Sequence, residues 1–460
     1  MGYSLACATD MTLFGYDQGV VSPLDPSKTK ILSTVTAIYD VGCFFGAMLA
    51  FTAGEGLGRK KTILLGCTIM AIGTILKVSS YIMPQMFVGR IVPGIGNGLS
   101  TVTAPVWQTE TSQANWRGKL VILELGLNAD GHCLLFFIMI LFATIPWSPE
   151  SPRWPLSHDR DDEALEVLAC IDAMSPDDPY IRTQYDEIKY SIAYERENAI
   201  PWRSLLRINC DSTKTLRRLL LGASTQAIQQ LQGITTMSYY LPTVLITSVG
   251  LTNSSARLLT ACNATSYFIF FSCIAVTMIE PFGRRGLMLL SGSGQFVSFL
   301  VITVFLRFAE TDTGEVYGTA SVVLFLYHVA FGVGMLGGPW LYPTEINSLH
   351  MRTKGAAVAT ATNWITNFAI VEITPIGIQR IGWRFWVVWT VLNAVFLPVI
   401  YFLYSGTASP PLIVTRDPDA VSANRPLKHV QREDEVIQRR AKEAQSMGTK
   451  SDGASVEHVN

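Results

Sequence analysis

The sequence predicts an all-α integral membrane protein made of two related halves. Of its 460 residues, 49% are hydrophobic and 15% are charged, a more apolar balance than ordinary soluble proteins of this length have. Eleven apolar runs are long enough to cross roughly 30 Å of hydrocarbon as helices. Two charged motifs between these runs each occur twice. Together the three observations predict the fold class.

Composition also excludes several classes of function. The net charge of −1 offers no basic surface for a nucleic acid. The six histidines form no HExxH spacing, and neither a P-loop nor a GxSxG elbow is present. The eight cysteines lie mostly in apolar runs, which indicates small buried thiols rather than a disulfide framework. We therefore expect no enzyme, no metal site and no cofactor.

The apolar runs divide the chain into four predicted regions. Residues 1–147 form an N-terminal membrane half with five runs, and 216–404 form a C-terminal half with six. Between them, 148–215 is a cytoplasmic domain with two amphipathic helical patterns. Residues 405–460 contain no aromatic residue and should be disordered. The runs lie near 3–22, 33–53, 62–82, 86–107, 120–147, 219–246, 258–279, 287–308, 318–342, 356–378 and 383–404.

An internal repeat relates the two membrane halves. The string GRKKTILL at 58–65 resembles GRRGLMLL at 283–290. Farther along, ETSQANWRGK at 110–119 and EINSLHMRTK at 345–354 both place Arg seven residues and Lys nine residues after a Glu. Parallel duplicated halves of six helices around a midplane site describe the major facilitator architecture.

The first half is shorter than this repeat requires. From Arg352 to Tyr404 there are 52 residues, whereas from Arg117 to Trp147 there are 30. About 22 residues, the length of one crossing, are therefore absent. The run 120–147 is too short for two crossings, so we expect one long or broken helix there. Basic residues in short loops favour the cytoplasmic side of a membrane. Their positions predict that the C-terminal half keeps the orientation that it would have after six crossings of the N-terminal half, with the N-terminus inside.

Eight short motifs occur in a consistent order along residues 10–404. They are GYDQG (15–19), GLGRKK (56–61), GRIVPGIGNG (89–98), WRGK (116–119), PESPRW (149–154), QQLQGI (229–234), PWLYPTEI (339–346) and NWITNF (363–368). Each motif is weak alone, but together they resemble the sugar porters of the major facilitator superfamily, most of all fungal hexose transporters. The resemblance implies alternating-access transport of a hexose with a proton, by a monomer in the lipid bilayer of the plasma membrane.

The chain also departs from this family pattern. Glu55 and Gly56 replace the usual Asp-Arg of one loop, and Thr235 stands where the family usually has Asn. The closing PETKG-like motif is replaced by YSGTASPP at 404–411, and the run 120–147 fuses the family's fifth and sixth helices. Three alternatives therefore stay open: a sugar sensor without transport, a carrier of a polyol or disaccharide, and an inactive gene product.

A candidate sugar site follows from chemistry and from the resemblance. A sugar presents hydroxyl groups and apolar C–H faces, so its site needs side-chain amides and an aromatic platform. The alternative is that these amides only bond neighbouring helices and that the aromatic residue is an interface anchor. The residues at the family's sugar-contacting positions are Gln229, Gln230, Asn263, Trp340 and Asn363.

The resemblance also implies a cytoplasmic gate of ion pairs that clamps helix ends in the outward-open state. Arg59 is expected to pair with Glu110, and Arg284 or Arg285 with Glu345. The alternative is that these charges only set the topology. The complete predicted gate comprises Arg59, Glu110, Arg117, Arg284, Arg285, Glu345 and Arg352.

Asp17 is the candidate for proton coupling. An ionised carboxylate is costly in an apolar span, so intramembrane carboxylates are proton-relay candidates. Arg90 matches the family position that pairs with this Asp in proton-coupled members. The alternative is a static ion pair or an Asp that water reaches freely.

Overall fold

A computed structural model describes seven stretches of the chain: 29–111, 145–172, 174–197, 215–247, 252–308, 326–347 and 349–404. Every regular element in these stretches is a helix. Asp17, Arg117, the run 3–22, most of the run 120–147 and the tail 405–460 lie outside the described residues.

Three long helices form the described part of the N-terminal half: α1 Thr29–Leu57, α2 Arg59–Val78 and α3 Met83–Thr111. Helices α1 and α3 approach so closely that a Cβ at Gly46 would collide with the carbonyl oxygen of Ile95. Small residues let helix backbones meet in this way in a membrane, where packing rather than the hydrophobic effect drives association.

The segment between the halves holds short helices. A 3₁₀ turn, Ile145–Trp147, precedes α4 Arg153–Ser157, α5 Asp161–Asp172 and α6 Pro179–Glu197. Helix α5 buries Ala164, Leu168 and Ala169 along one face, which confirms the amphipathic pattern.

The C-terminal half contains two breaks that the sequence analysis did not anticipate. The run 219–246 is divided after Leu231, because Gly233 takes a φ of +92°, which glycine tolerates best. The run 318–342 is divided at 335–337. The helices are α7 Thr215–Leu231, α8 Ile234–Thr247, α9 Asn253–Phe308, which the non-helical backbone of Gly283 divides into two helical segments, α10 at 326–334, α11 Gly338–Ile346, α12 Leu349–Ile381 and α13 Arg384–Leu403.

Among the described residues, three helical segments are long and apolar enough to cross a membrane: Ser33–Thr52, Phe282–Arg307 and Arg384–Leu403. Several of the other predicted runs carry glycine, proline or buried polar residues, which lower their mean hydropathy.

The two halves meet along helices α1 and α12. Small side chains fill one part of this seam, and Trp364 packs with Tyr39 and Cys43 in another part. The small residues are Ala47, Ala50, Ala356, Ala357 and Ala361. Because the seam is narrow, polar groups at its edges are brought within bonding distance across the halves.

Candidate functional site

Three of the predicted sugar-site amides form one hydrogen-bonded cluster. Gln229 and Gln230 lie in the last turn of α7, and Asn363 lies in the middle of α12. The Asn363 amide nitrogen donates to the side-chain oxygen of Gln229 at 3.0 Å, and the Gln230 amide nitrogen donates to the oxygen of Asn363 at 3.2 Å. All three side chains are buried.

A fourth amide, Gln226, belongs to the same cluster and was missed by the sequence analysis. Its oxygen accepts a 2.6 Å hydrogen bond from Asn363, and its nitrogen donates to the Pro339 carbonyl at 3.0 Å. Gln226 precedes Gln230 by four residues and therefore lies on the same face of α7. That spacing was the signal that could have identified it.

The cluster is built on the two helix breaks. Gln229 also donates to the carbonyl of Met335, in the unwound segment before α11, at 2.6 Å. The hydroxyl of Thr235, just after the break between α7 and α8, donates to the Gln230 oxygen. Every side-chain polar atom of Gln229, Gln230 and Asn363 thus has a protein partner. A sugar could therefore bind these amides only if its own hydroxyl groups replaced these hydrogen bonds.

The two remaining predicted residues lie on other elements. Asn263 is buried in α9, and Trp340 is half-buried at the start of α11. The hydrogen bonds described above therefore bring together three of the five predicted residues, with Gln226 as an additional member.

Arg90 and Asp40 are buried charged side chains in the described part of the N-terminal membrane half. Arg90, predicted to pair with Asp17, is 2% exposed in α3. Asp40, which the sequence analysis missed, is 1% exposed in α1 and accepts a 3.4 Å contact from Asn367 across the seam. Asp40 is the single acidic residue within the run 33–53, which was the available signal.

The N-terminal gate pair forms with two hydrogen bonds. The Arg59 guanidinium donates to both carboxylate oxygens of Glu110, at 3.1 and 3.2 Å. The same guanidinium donates to the Thr353 hydroxyl at 3.2 Å and so crosses from the N-terminal to the C-terminal half. Paired, fork-shaped contacts of this type are the stronger class of ion pair.

The loop before α4 completes this network. The Ser151 hydroxyl donates to Glu110 at 2.6 Å, and the Glu150 carboxylate accepts from the backbone N–H groups of Arg59 and Lys60 at the start of α2. A carboxylate is favourable at that end of a helix. Burial nevertheless raises the pKa of Glu150, while hydrogen bonds from the backbone of Ser151 and Lys60 oppose the rise.

The C-terminal gate pair is simpler. Arg284 donates to Glu345 at 2.8 Å, and Arg352 donates to the neighbouring Thr344 carbonyl at 2.8 Å. Arg285 instead lies over the ring of Tyr401, with 4.8 Å between its guanidinium and the ring centre. Of the two arginines that the sequence left open, Arg284 therefore makes the pair with Glu345.

Comparison with known proteins supports a transporter. The family profile described as "Sugar (and other) transporter" matches residues 3–131 and 128–415. The MFS-type transporter oryC of Aspergillus oryzae is 56% identical, covering 99% of this chain and 94% of the relative. The sugar transporter STL1 of Saccharomyces cerevisiae is 32% identical over 88% and 78% of the two chains.

A solved structure shows the fold. The proton:xylose symporter XylE of E. coli, bound to 6-bromo-6-deoxy-D-glucose, matches with a TM-score of 0.76 at 20% identity, covering 90% of this chain and 98% of XylE. The likeness confirms the predicted all-α membrane protein with the major facilitator fold. The matched relatives are transporters rather than enzymes.

The same comparisons bear on the shortened region. The two profile matches meet at 128–131, inside the run 120–147 that the repeat predicts to be too short. The alignment with oryC spans 512 residues, which exceeds the 460 residues of this chain by 52. The relative therefore has internal residues without a counterpart here.

Proposed function

We propose, from the premise that this chain belongs to the sugar transporter family, that it moves a hexose across the plasma membrane by alternating access. Membership of the family makes it a multi-pass membrane protein. The observation that carries the proposal is the amide cluster of Gln229, Gln230 and Asn363 at two helix breaks. We further propose that the carrier works as a monomer.

The closed amide cluster indicates how a sugar binds. Amides both donate and accept, so hydroxyl groups of a sugar can replace the bonds that the amides make with one another. The broken ends of α7 and α11 let the backbone follow such an exchange. Trp340 supplies an aromatic face for the apolar side of the ring.

The test is sugar binding and uptake by two variants in a transporter-null cell. Gln230→Ala and Asn363→Ala each leave buried partners unpaired, which costs about 1–3 kcal/mol, or roughly 5- to 150-fold in affinity. Thr303→Val, which removes the buried hydroxyl contact with Thr390, is the matched control and should leave affinity unchanged. Wild-type affinity in both amide variants, at equal surface expression, would mean that these amides only pack helices.

Proton coupling is proposed for Asp17 with Arg90. A buried guanidinium in a membrane helix requires a compensating negative group, and the proton-coupled members of the family have an Asp at the position of Asp17. With Arg90 close to it, the Asp17 carboxylate would stay ionised. Movement of Arg90 away from Asp17 would favour protonation of Asp17, which links proton uptake to the conformational change. Asp17→Asn should abolish accumulation driven by a pH gradient and spare sugar exchange. Undiminished accumulation would contradict this assignment.

The internal shortening favours a second candidate, a protein that binds sugar without moving it. The evidence is the junction of the two profile matches at 128–131 and the longer oryC alignment. Uptake of radiolabelled sugar distinguishes the carrier, sugar binding without uptake indicates a sensor, and the absence of both indicates an inactive product. A panel of competing hexoses, polyols and disaccharides in the uptake assay identifies the substrate.

A further inference from the structure

Three fully buried amides lie behind the candidate site, in helices α9 and α13 and at the break after α7. Gln232, Gln295 and Asn393 are each 0% exposed. Within the described part of the chain, four of their polar atoms have no hydrogen-bond partner: Gln232 Nε2 and Oε1, Gln295 Oε1 and Asn393 Oδ1. Folded proteins pair nearly all buried polar atoms, so four unpaired atoms in one region require an explanation.

The geometry brings these amides to a common space. Asn393 Nδ2 donates to the backbone carbonyl of Gln232 at 3.3 Å, which places the Asn393 side chain against the end of α7. Gln232 Nε2 lies against α9, where a Cβ built on Gly292 would be 3.4 Å from it. Gln295 lies one helical turn from Gly292, on the same side of α9. We name the space between these three amides the amide pocket.

We infer that the amide pocket binds water, with at least one molecule bridging Gln232 to Gln295. The unpaired atoms include one donor, Gln232 Nε2, and three acceptors. Water supplies both donors and acceptors and makes two to four hydrogen bonds in buried polar sites. A cation would satisfy the oxygens but would face the amide N–H groups, which favours water as the occupant.

The amide pocket lies next to the break between α7 and α8. The Gln232 carbonyl also accepts from the Tyr327 hydroxyl at 3.1 Å, and Gly233 follows with its positive φ. Gln232 thus lies between Gln230 and Thr235, the two residues that the break presents to the candidate site. The inference concerns the folded structure and does not depend on sugar transport.

The test is a double-mutant cycle on thermal stability, with the full chain in lipid nanodiscs. Gln232→Met removes both unpaired atoms of that side chain at nearly constant length. Gln295→Met removes the unpaired Gln295 Oε1 together with the 2.9 Å hydrogen bond from Gln295 Nε2 to the Ser291 hydroxyl. We expect each variant to lower the Tm by about 2–4 °C, the shift that a loss of roughly 1 kcal/mol gives in a folded unit as long as the C-terminal membrane half. We expect the double variant to lose less than the sum, because both lose the same water.

Leu397→Met is the control, since Leu397 contacts the same space at Gly292 without a polar atom. Its Tm should match that of the wild type, because volume-conserving apolar exchanges are tolerated. If Gln232→Met does not fold, a wild-type density map with resolved water replaces the cycle. A density peak about 2.7–3.2 Å from Gln232 Nε2 supports the inference, and protein atoms filling that position contradict it.

Three results of the cycle would overturn the inference. A Tm for Gln232→Met equal to or above that of the wild type would mean a dry, unpaired amide, whose removal is neutral or stabilising. Strictly additive losses would mean that the two amides share no water. A wild-type Tm higher in sodium than in potassium at equal ionic strength, with the difference lost in Gln232→Met, would assign the pocket to a cation.

Discussion

The two halves carry the same charged motif, but they surround it differently. In the N-terminal half, Arg59 holds both oxygens of Glu110 and also reaches Thr353 in the other half. In the C-terminal half, Arg284 makes one bond to Glu345. No described residue pairs with Arg284 Nε or Nη1, or with the second oxygen of Glu345.

The difference comes from the segment downstream of the first half. This segment carries the PESPRW motif, and its Ser151 and Glu150 join the N-terminal pair. Arg153 and Arg352 also lie near enough to stabilise the charge of Glu110 electrostatically. Both ion pairs lie within their own half, but only Arg59 also bonds the other half, through Thr353. We expect the N-terminal pair to dominate cytoplasmic closure.

Glu110→Gln should have the largest effect. The substitution removes the charge that compensates Arg59, and breaking a buried ion pair on one side costs about 3–5 kcal/mol. The Glu110 side chain is 3% exposed, so water cannot replace the lost interaction. Thermal unfolding of the purified protein measures the loss. An unchanged Tm would contradict the dominance of this pair.

Glu345→Gln makes the same change in the repeat and should cost less. The Glu345 side chain is 19% exposed and its described ion pair has a single bond, so we expect a loss of about 1–3 kcal/mol. The same unfolding assay compares the two variants directly. A loss equal to or greater than that of Glu110→Gln would reverse the comparison between the halves.

Thr353→Val tests the bridge across the seam alone. It removes one hydrogen bond, worth about 0.5–1.5 kcal/mol, and leaves the Arg59–Glu110 pair intact. We expect little change in Tm but a larger inward-open population. A cysteine introduced at Ala357, which is buried in the seam, should then react faster with a thiol reagent. Thr353→Ser keeps the hydroxyl and should react at the wild-type rate; equal rates for all three would exclude the bridge as a lock.

Glu150 should give the smallest effect, visible as a dependence on pH. Because its folded-state pKa is raised above the ordinary 4.5, its stabilising contribution is complete below that value and is lost as pH rises through the folded-state pKa. Glu150→Gln cannot ionise, so it should lack this fall in Tm as the pH rises above 4.5. Parallel Tm curves for the variant and the wild type would show that Glu150 does not contribute.

Much of the fold and part of the site follow from local sequence. Apolar length predicted helices α1 to α3, α9, α12 and α13, because insertion into hydrocarbon depends on the segment's own hydropathy. The repeat and the family motifs predicted that Arg59 pairs with Glu110 and that Arg284 or Arg285 pairs with Glu345. The structure forms the pairs Arg59–Glu110 and Arg284–Glu345. The family motifs assigned Gln229, Gln230 and Asn363 to one candidate site, and hydrogen bonds join these three side chains in the structure.

Long-range packing decided the rest. Hydropathy predicts that 219–246 is one crossing. In the structure, Tyr327 and Asn393 from distant segments donate hydrogen bonds to the Gln232 carbonyl, and one helix ends there before the next begins. Three further features depend on neighbours that are far away in the chain. They are the choice of Arg284 over Arg285, the membership of Gln226 in the amide cluster, and the bond from Arg59 to Thr353. A sequence places a donor on a helix face, but the packing of helices determines which acceptor lies within about 3 Å of it.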